Sequence, residues 1–195
     1  MAQQSAGFVE NIGQYPPVVK FYADFNEGKI FLEDTGLTYV FDDPASSKFS
    51  HNHHAGRSIQ DTKDHYAIKI SFEGSRAGQE IIYGRQLPTV YNFYLDDNPD
   101  NWITDAKVYE TVLVKDLYPG VDFKLGYAGG KLKYDLILAP GIDPSIIKMR
   151  YDGVEELRVD KQGDLAYSIP FQKVMEQIPA SYAICDQDSR VVAAS

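Results

Sequence analysis

The sequence predicts an all-β protein, an antiparallel β-sandwich of about a dozen strands with negligible helix. Apolar and polar residues alternate with period two from one end of the chain to the other. Fourteen tyrosines, ten phenylalanines and one tryptophan among 195 residues, together with frequent Val and Ile, favour pleated, half-buried strands. No window of about twelve or more residues carries a 3.6-residue apolar period.

Lys29 to Leu32 and Leu37 to Phe41 flank Asp34-Thr35-Gly36, a Gly-containing loop short enough to close a hairpin. Tyr66, Ile68, Ile70 and Phe72 alternate with Ala67, Lys69, Ser71 and Glu73, which reads as a strand buried on one face. Val121, Phe123, Leu125 and Tyr127 run up to Ala128-Gly129-Gly130, and Leu132, Tyr134, Leu136 and Leu138 run away from it. This is the clearest hairpin in the chain. Ile147, Met149 and Tyr151 precede Leu157 and Val159, a Lys161-Gln162-Gly163 turn, and then Leu165, Tyr167 and Ile169. A last pair is expected from Tyr182 and Ile184 through Asp186-Gln187-Asp188-Ser189 to Val191. One-turn helical pieces are expected only at Pro99 to Thr104 and Pro144 to Ile147.

No repeat and no linker divides the sequence. A single sandwich domain is therefore expected over residues 8–195, after a disordered mature terminus at residues 1–7 and interrupted by a long exposed loop at residues 42–63, rich in Ser, Asp, His and Gly. Residues 1–5 look like an initiator methionine before a trimmed terminus, and the chain stops in an apolar run, so it reads as a piece excised from a longer secreted protein whose signal peptide is removed. With 19 Lys plus Arg against 28 Asp plus Glu, the net charge is -9. Duplex nucleic acid and anionic membrane surfaces are repelled on average. No apolar run approaches the ~20 residues that cross a bilayer as a helix, which argues against membrane insertion. The single cysteine, Cys185, reads as a small buried hydrophobe and leaves the redox compartment open.

Longer segments carry a resemblance. They are Phe8-Val9-Glu10-Asn11-Ile12-Gly13-Gln14, Val19 to Ala23, and Leu87-Pro88-Thr89-Val90-Tyr91-Asn92-Phe93-Tyr94-Leu95 with Asn98-Pro99 and Trp102. They continue as Asp116-Leu117-Tyr118-Pro119-Gly120-Val121-Asp122, Leu132 to Asp135, and Pro140-Gly141-Ile142-Asp143-Pro144. In order and spacing these resemble, over roughly residues 8–185, the N-terminal module of large exported bacterial surface proteins. In such proteins the module precedes seven-bladed β-propeller (SBBP) repeats, or adhesin-like modules with a C-terminal sorting domain. The resemblance implies a secreted or cell-surface location and partners among the other modules of the parent chain, extracellular polysaccharide or surface proteins. It implies no catalytic residues. Two departures stand out: Lys133 occupies a position before Tyr134-Asp135 that is often acidic, and the His-containing loop has no counterpart.

Several positions also have a reading of their own. Tyr118-Pro119-Gly120, Pro140-Gly141 and Asp143-Pro144 are turn signals. Asn11, Gly13 and Gln14 suit a tight loop whose side-chain amides bridge neighbouring strands. His51, His53 and His54 are spaced to face one ion, yet their Ser, Asn, Ala and Gly surroundings hold them loosely, so they are adventitious rather than native metal ligands. Asp96, Asn98 and Asp100 open like a calcium loop, but Asn101 stands where the turn glycine belongs and Lys107 where the closing glutamate belongs. A polar turn is the preferred reading. Calcium is the one cofactor left open.

Neither a G-x-S-x-G elbow nor a phosphate-cradling glycine loop is present. Asp122 and Asp135 sit on opposite arms of the Gly129-Gly130 hairpin and are candidates for cross-strand neighbours, balanced by Lys124 and Lys133. Tyr91, Tyr94 and Trp102, with Phe93, form the densest aromatic stretch and are the candidate ligand-binding residues. The function expected is a noncatalytic structural or interaction module. A carbohydrate-binding or adhesive module is the alternative, and a glycan hydrolase the third reading.

Overall fold

A computed structural model of the chain describes residues 7–45, 64–94 and 97–177. Among the described residues all regular structure is extended apart from two single-turn 3-10 helices, Pro99–Asn101 and Pro144–Ile146, which sit where the sequence predicts one-turn pieces. The fifteen strands among the described residues form three antiparallel sheets, in accord with the all-β, antiparallel expectation. The chain divides into two compact units, one ending at Gly153 and the other beginning at Val154. No change of composition at that boundary announces the division.

The first unit contains β1 (Phe8–Glu10), β2 (Val19–Phe25), β3 (Gly28–Glu33), β4 (Gly36–Asp42), β5 (His65–Phe72), β6 (Ile81–Tyr83), β7 (Gln86–Phe93), β8 (Ile103–Tyr109), β9 (Val112–Tyr118), β10 (Val121–Ala128), β11 (Lys131–Leu138) and β12 (Met149–Asp152). Eight of them form an open sheet in the order β12-β5-β4-β3-β2-β1-β8-β7, and four form a second in the order β11-β10-β9-β6. Two-residue loops set much of this register. Asp34-Thr35 joins Glu33 to its partner Gly36, and Gly129-Gly130 joins Ala128 to its partner Lys131. Both glycines have positive φ, +57° and +78°, the conformation that a two-residue turn needs to match strand twist.

Side chains alternate faces along each strand, so these registers decide what is buried. Phe21, Ala23, Ile30, Leu32, Leu37, Ile70 and Phe72 of the long sheet share one core with Val112, Val114, Val121, Phe123 and Leu125 of the short one. The rings of Phe72 and Phe123 lie 4.9 Å apart across it. This shared core makes the unit a two-layer sandwich. The opposite face of the long sheet carries a second cluster, which the sequence does not predict: Val9, Tyr22, Ala106 and Val108, with Tyr15, Phe31, Tyr91 and Phe93 packed against them. Gly7, assigned from sequence to the terminus, is buried, and a Cβ there would stand 2.6 Å from Val108 Cγ1.

The second unit is a three-stranded sheet of β13 (Glu155–Val159), β14 (Leu165–Ile169) and β15 (Gln172–Glu176), in the order β13-β14-β15. The Lys161-Gln162-Gly163 turn is built by Asp160, whose Oδ1 accepts from the N–H groups of Gln162 (2.8 Å) and Asp164 (3.0 Å). Strand β15 is absent from the sequence reading because Gln172-Lys173-Val174-Met175-Glu176 has too few apolar residues to alternate. It forms because all five residues pair with β14. The expected strands around Tyr182, Ile184 and Val191, and Cys185 between them, lie outside the described residues.

Candidate functional site

The segments that carry the resemblance are occupied in holding the fold. In the loop between β1 and β2, Asn11 Nδ2 donates to the carbonyls of Tyr15 (3.0 Å), Pro16 (3.1 Å) and Val19 (2.8 Å). Its Oδ1 accepts from the N–H groups of Gly13 and Tyr15, both at 3.1 Å. Gln14 closes the loop from the other side: Nε2 donates to the Glu10 carbonyl (2.7 Å) and Oε1 accepts from Ile12 N–H (2.9 Å). The amide bridging expected from sequence is therefore present. Its result is the placement of Tyr15, whose ring meets Tyr22 and Phe31 edge-on at 5.3 and 5.1 Å.

Asp116 to Asp122 forms the corner between β9 and β10. The pairing slips between Val121 and Phe123, opposite Tyr118 and Val114, which leaves extra β9 backbone to be satisfied. Asp122 satisfies it: Oδ1 accepts from Asp116 N–H at 2.9 Å and Oδ2 holds the Lys115 ammonium. That bond raises the Lys115 pKa above its ordinary value. Asp116 has φ +47°, and its Oδ1 accepts from Gly120 N–H at 3.3 Å. Leu117, Tyr118 and Val121 are buried, and the Tyr118 hydroxyl donates to the Lys148 carbonyl at 3.0 Å. Burial raises the pKa of that hydroxyl. Asp143 caps the second 3-10 turn by accepting from Ser145 N–H at 2.9 Å, which lowers its own pKa.

Asp122 and Asp135 are not directly opposed. Asp122 pairs with Ile137, and Asp135 stands opposite Lys124 with Lys133 Nζ at 2.8 Å. The register is two residues away from the juxtaposition considered from sequence. Each acid instead has its own cation.

The structure separates the three candidate aromatics. Tyr91 is half-buried on the outer face of the long sheet, packed against the Val9–Tyr22 cluster, its ring 6.5 Å from Tyr22. Tyr94 and Trp102 lie at the far end of the β7–β8 hairpin, 64% and 40% exposed. Their rings meet at right angles, with centroids 4.9 Å apart. Phe93 pairs with Ile103, and Tyr94 and Trp102 are the next residues out, beyond the ladder, whereas Tyr91 and Phe93 pack against the outer cluster. Asn98 Oδ1 accepts from Asp100 N–H (3.1 Å), Asn101 N–H donates to the Asn98 carbonyl (3.0 Å), and Trp102 N–H donates to the Pro99 carbonyl (3.1 Å). Asn98 thus serves the polar turn preferred from sequence, with Asp97, Asp100 and Asn101 exposed on it.

Asp96, the first residue of the calcium-like run, lies outside the described residues, as do His51, His53 and His54. Among the described residues no three His, Cys, Asp or Glu side chains gather to hold a metal. At the base of the His-containing loop, His65 Nδ1 lies 3.0 Å from Asp42 Oδ1. A groove of about 360 Å³ runs between the Asn11 loop and the free edge of β6, lined by Ile12, Phe21, Ile81 and Tyr83. Sequence reasoning gave no sign of it, because it arises where the shorter sheet ends beneath the longer one.

No curated protein and no solved structure matches the chain. One family does, a domain of unknown function (DUF7948), over residues 8–195. That match takes in the Asn11 loop, the β7–β8 hairpin, the Asp116–Asp122 corner and both compact units, and the chain belongs to the DUF7948 family.

Proposed function

We propose that the chain is a noncatalytic structural or interaction module of a large exported bacterial protein. In this reading it stands ahead of the repeat or adhesin-like modules of its parent, at the cell surface. The observation that carries the reading is the division of labour among side chains. Asn11, Gln14, Asp116, Tyr118, Asp122 and Asp143, the polar residues of the resembling segments, spend their hydrogen bonds on the chain's own backbone and on Lys115. The large aromatic pair Tyr94 and Trp102 is left at the surface, where exposed apolar rings serve contact with something else. The partners in this reading are other modules of the parent, surface proteins or extracellular polysaccharide.

The test has two arms. Intact cells carrying the parent protein are treated with protease and fractionated, and the purified chain is assayed on a panel of glycosidase and esterase substrates. The module reading expects surface exposure of the parent and no turnover. A cytoplasmic parent overturns it. So does turnover abolished by Asp122→Asn with Asp135→Asn.

A further inference from the structure

From the geometry we infer that the aromatic cluster on the outer face of the long sheet is a binding site for an uncharged glycan, with the Tyr22 hydroxyl at its floor. The site is separate from the Tyr94 and Trp102 pair. It rests on the module reading only for where such a glycan is met.

Register builds the cluster. Strands β2 and β3 pair Tyr22 with Phe31 and Asp24 with Lys29, so these four side chains share one face of the sheet, two residues apart along each strand. Tyr15, held by the Asn11 loop, meets Tyr22 and Phe31 edge-on at 5.3 and 5.1 Å. From β7, Tyr91 and Phe93 meet Tyr22 edge-on at 6.5 and 6.3 Å. Tyr22 is only 4% exposed, whereas the four rings around it are each partly open to solvent. The result is an aromatic basin with one tyrosine at the bottom.

The hydroxyls of this basin take no part in holding the fold. Among the described residues the Tyr22 hydroxyl has no hydrogen-bond partner, and neither do those of Tyr15 and Tyr91. No buried side-chain nitrogen or oxygen among the described residues is left unsatisfied, so the small part of Tyr22 that reaches solvent is its hydroxyl. Burial raises the pKa of that hydroxyl, and Tyr15, Asp24 and Tyr91 add to the rise, which puts the three phenols and the Asp24 carboxylate within electrostatic reach of one another. Lys29 is paired with Asp24, and its Nζ lies 5.4 Å from the centre of the Tyr22 ring.

These groups suit a sugar. A phenol hydroxyl both donates and accepts, as a sugar hydroxyl does, and a ring face presents the negative part of its quadrupole to the C–H face of a pyranose. The Asp24 and Lys29 pair can bridge two neighbouring sugar hydroxyls, the carboxylate accepting from one and the ammonium donating to the other. An apolar side chain seated in the basin would instead cover the Tyr22 hydroxyl and leave it unpaired, which is penalised. Charge selects further. On the strands that carry the cluster, Lys29 is held by Asp24, Lys20 by Asp34 and Lys107 by Asp105, while Glu10 accepts from the Lys107 N–H. Uronate or sulfate groups would have to compete with those carboxylates for the ammonium groups, and a cationic ligand would meet Lys29 beside the Tyr22 ring. An uncharged glycan meets neither obstacle.

The experiment is affinity electrophoresis of the 195-residue chain through gels containing an uncharged polymer (a β-glucan, a xylan or a galactomannan) or an anionic one (alginate or pectate). Retardation is expected in at least one uncharged gel and in neither anionic gel. Tyr22→Phe is the decisive variant, because it keeps the ring and removes an oxygen that bonds to nothing in the described fold. It should leave circular dichroism and the urea midpoint unchanged while weakening the retarding interaction by about fivefold to tenfold. Tyr91→Ala, which also removes a ring, should weaken it by about tenfold or more. If Tyr22→Phe does not fold, Tyr91→Phe decides on the same readouts. The inference fails if no uncharged polymer retards the wild-type chain, if retardation is confined to the anionic gels, or if the deciding hydroxyl variant binds as well as wild type. Failure with the parent still at the cell surface overturns the glycan assignment alone, whereas a cytoplasmic parent overturns the module reading.

Discussion

Replacing Asn11 by alanine tests whether one side chain holds the β1–β2 loop. The substitution removes three donated contacts, to the carbonyls of Tyr15, Pro16 and Val19, and two accepted ones, from Gly13 and Tyr15. Two amide hydrogens serve the three carbonyls, so four full hydrogen bonds are at stake. Some of these groups reach water once released, and a net value of about 0.5–1 kcal/mol per bond gives a cost of about 2–4 kcal/mol. For a unit of this size that lowers Tm by roughly 5–15 °C. Equilibrium urea unfolding followed by tryptophan emission suits the measurement, because the only tryptophan, Trp102, belongs to the unit that ends at Gly153. Asn11→Asp sharpens the test. It keeps the acceptor for Gly13 and Tyr15 but turns an anion toward three carbonyl oxygens, so its folded-state pKa rises above the unfolded value of about 3.9. A raised pKa means that the folded state holds its proton more tightly, so the stability is present below that unfolded value and is lost as pH rises through the folded one. Relative to wild type, Asn11→Asp should therefore be the least stable variant at pH 7 and recover toward pH 4. A cost below about 1 kcal/mol for Asn11→Ala, or an Asp variant as stable as wild type at pH 7, would refute the reasoning.

Three further outcomes are expected. Phe123→Ala, at a fully buried position against Phe72 and Tyr134, should cost about 3–5 kcal/mol in urea unfolding, and a loss below about 2 kcal/mol would mean that the two sheets do not share that core. Gly120→Ala places a Cβ 2.8 Å from Ile142 Cδ1 at φ +76°; the left-handed backbone alone costs about 1–2 kcal/mol, so an unchanged urea midpoint would contradict the Asp116–Asp122 corner. Burial, reinforced by Asp24, pushes the Tyr127 hydroxyl up to about 12. The unfolded chain therefore ionises first: stability is intact below about pH 10 and falls as pH rises toward 12. Tyr127→Phe, which lacks that proton, should flatten part of the alkaline slope, and an unaltered slope would sink the assignment.

Much of the fold was legible because period-two alternation and two-residue turns are local. The Gly129-Gly130 hairpin pairs Phe123 with Leu136 and Leu125 with Tyr134, as the alternating residues on its two arms require. Both 3-10 turns announce themselves through a polar cap followed by proline. The Asn11 loop was legible for the same reason, since an amide reaching backbone a few residues away needs no knowledge of the rest of the chain. Strands β6 and β15 were not, because three residues or a mostly polar segment become strands only when a neighbour supplies the hydrogen bonds.

For the candidate site, composition picked out Tyr91, Tyr94 and Trp102 together but could not divide them. Their density along the chain is a property of sequence, whereas which side of a sheet each ring occupies depends on register with β8 and on what lies beneath. Tertiary structure assigned Tyr91 to a second apolar cluster on the outer face and left Tyr94 and Trp102 exposed at the hairpin end, whereas the two-residue offset of Asp122 from Asp135 follows from the local Gly129-Gly130 turn. Local preference determines that a segment is extended and which of its residues alternate. Only the closing of one sheet over another, with one sheet longer than the other, decides which alternate face becomes core and which is left to meet a partner.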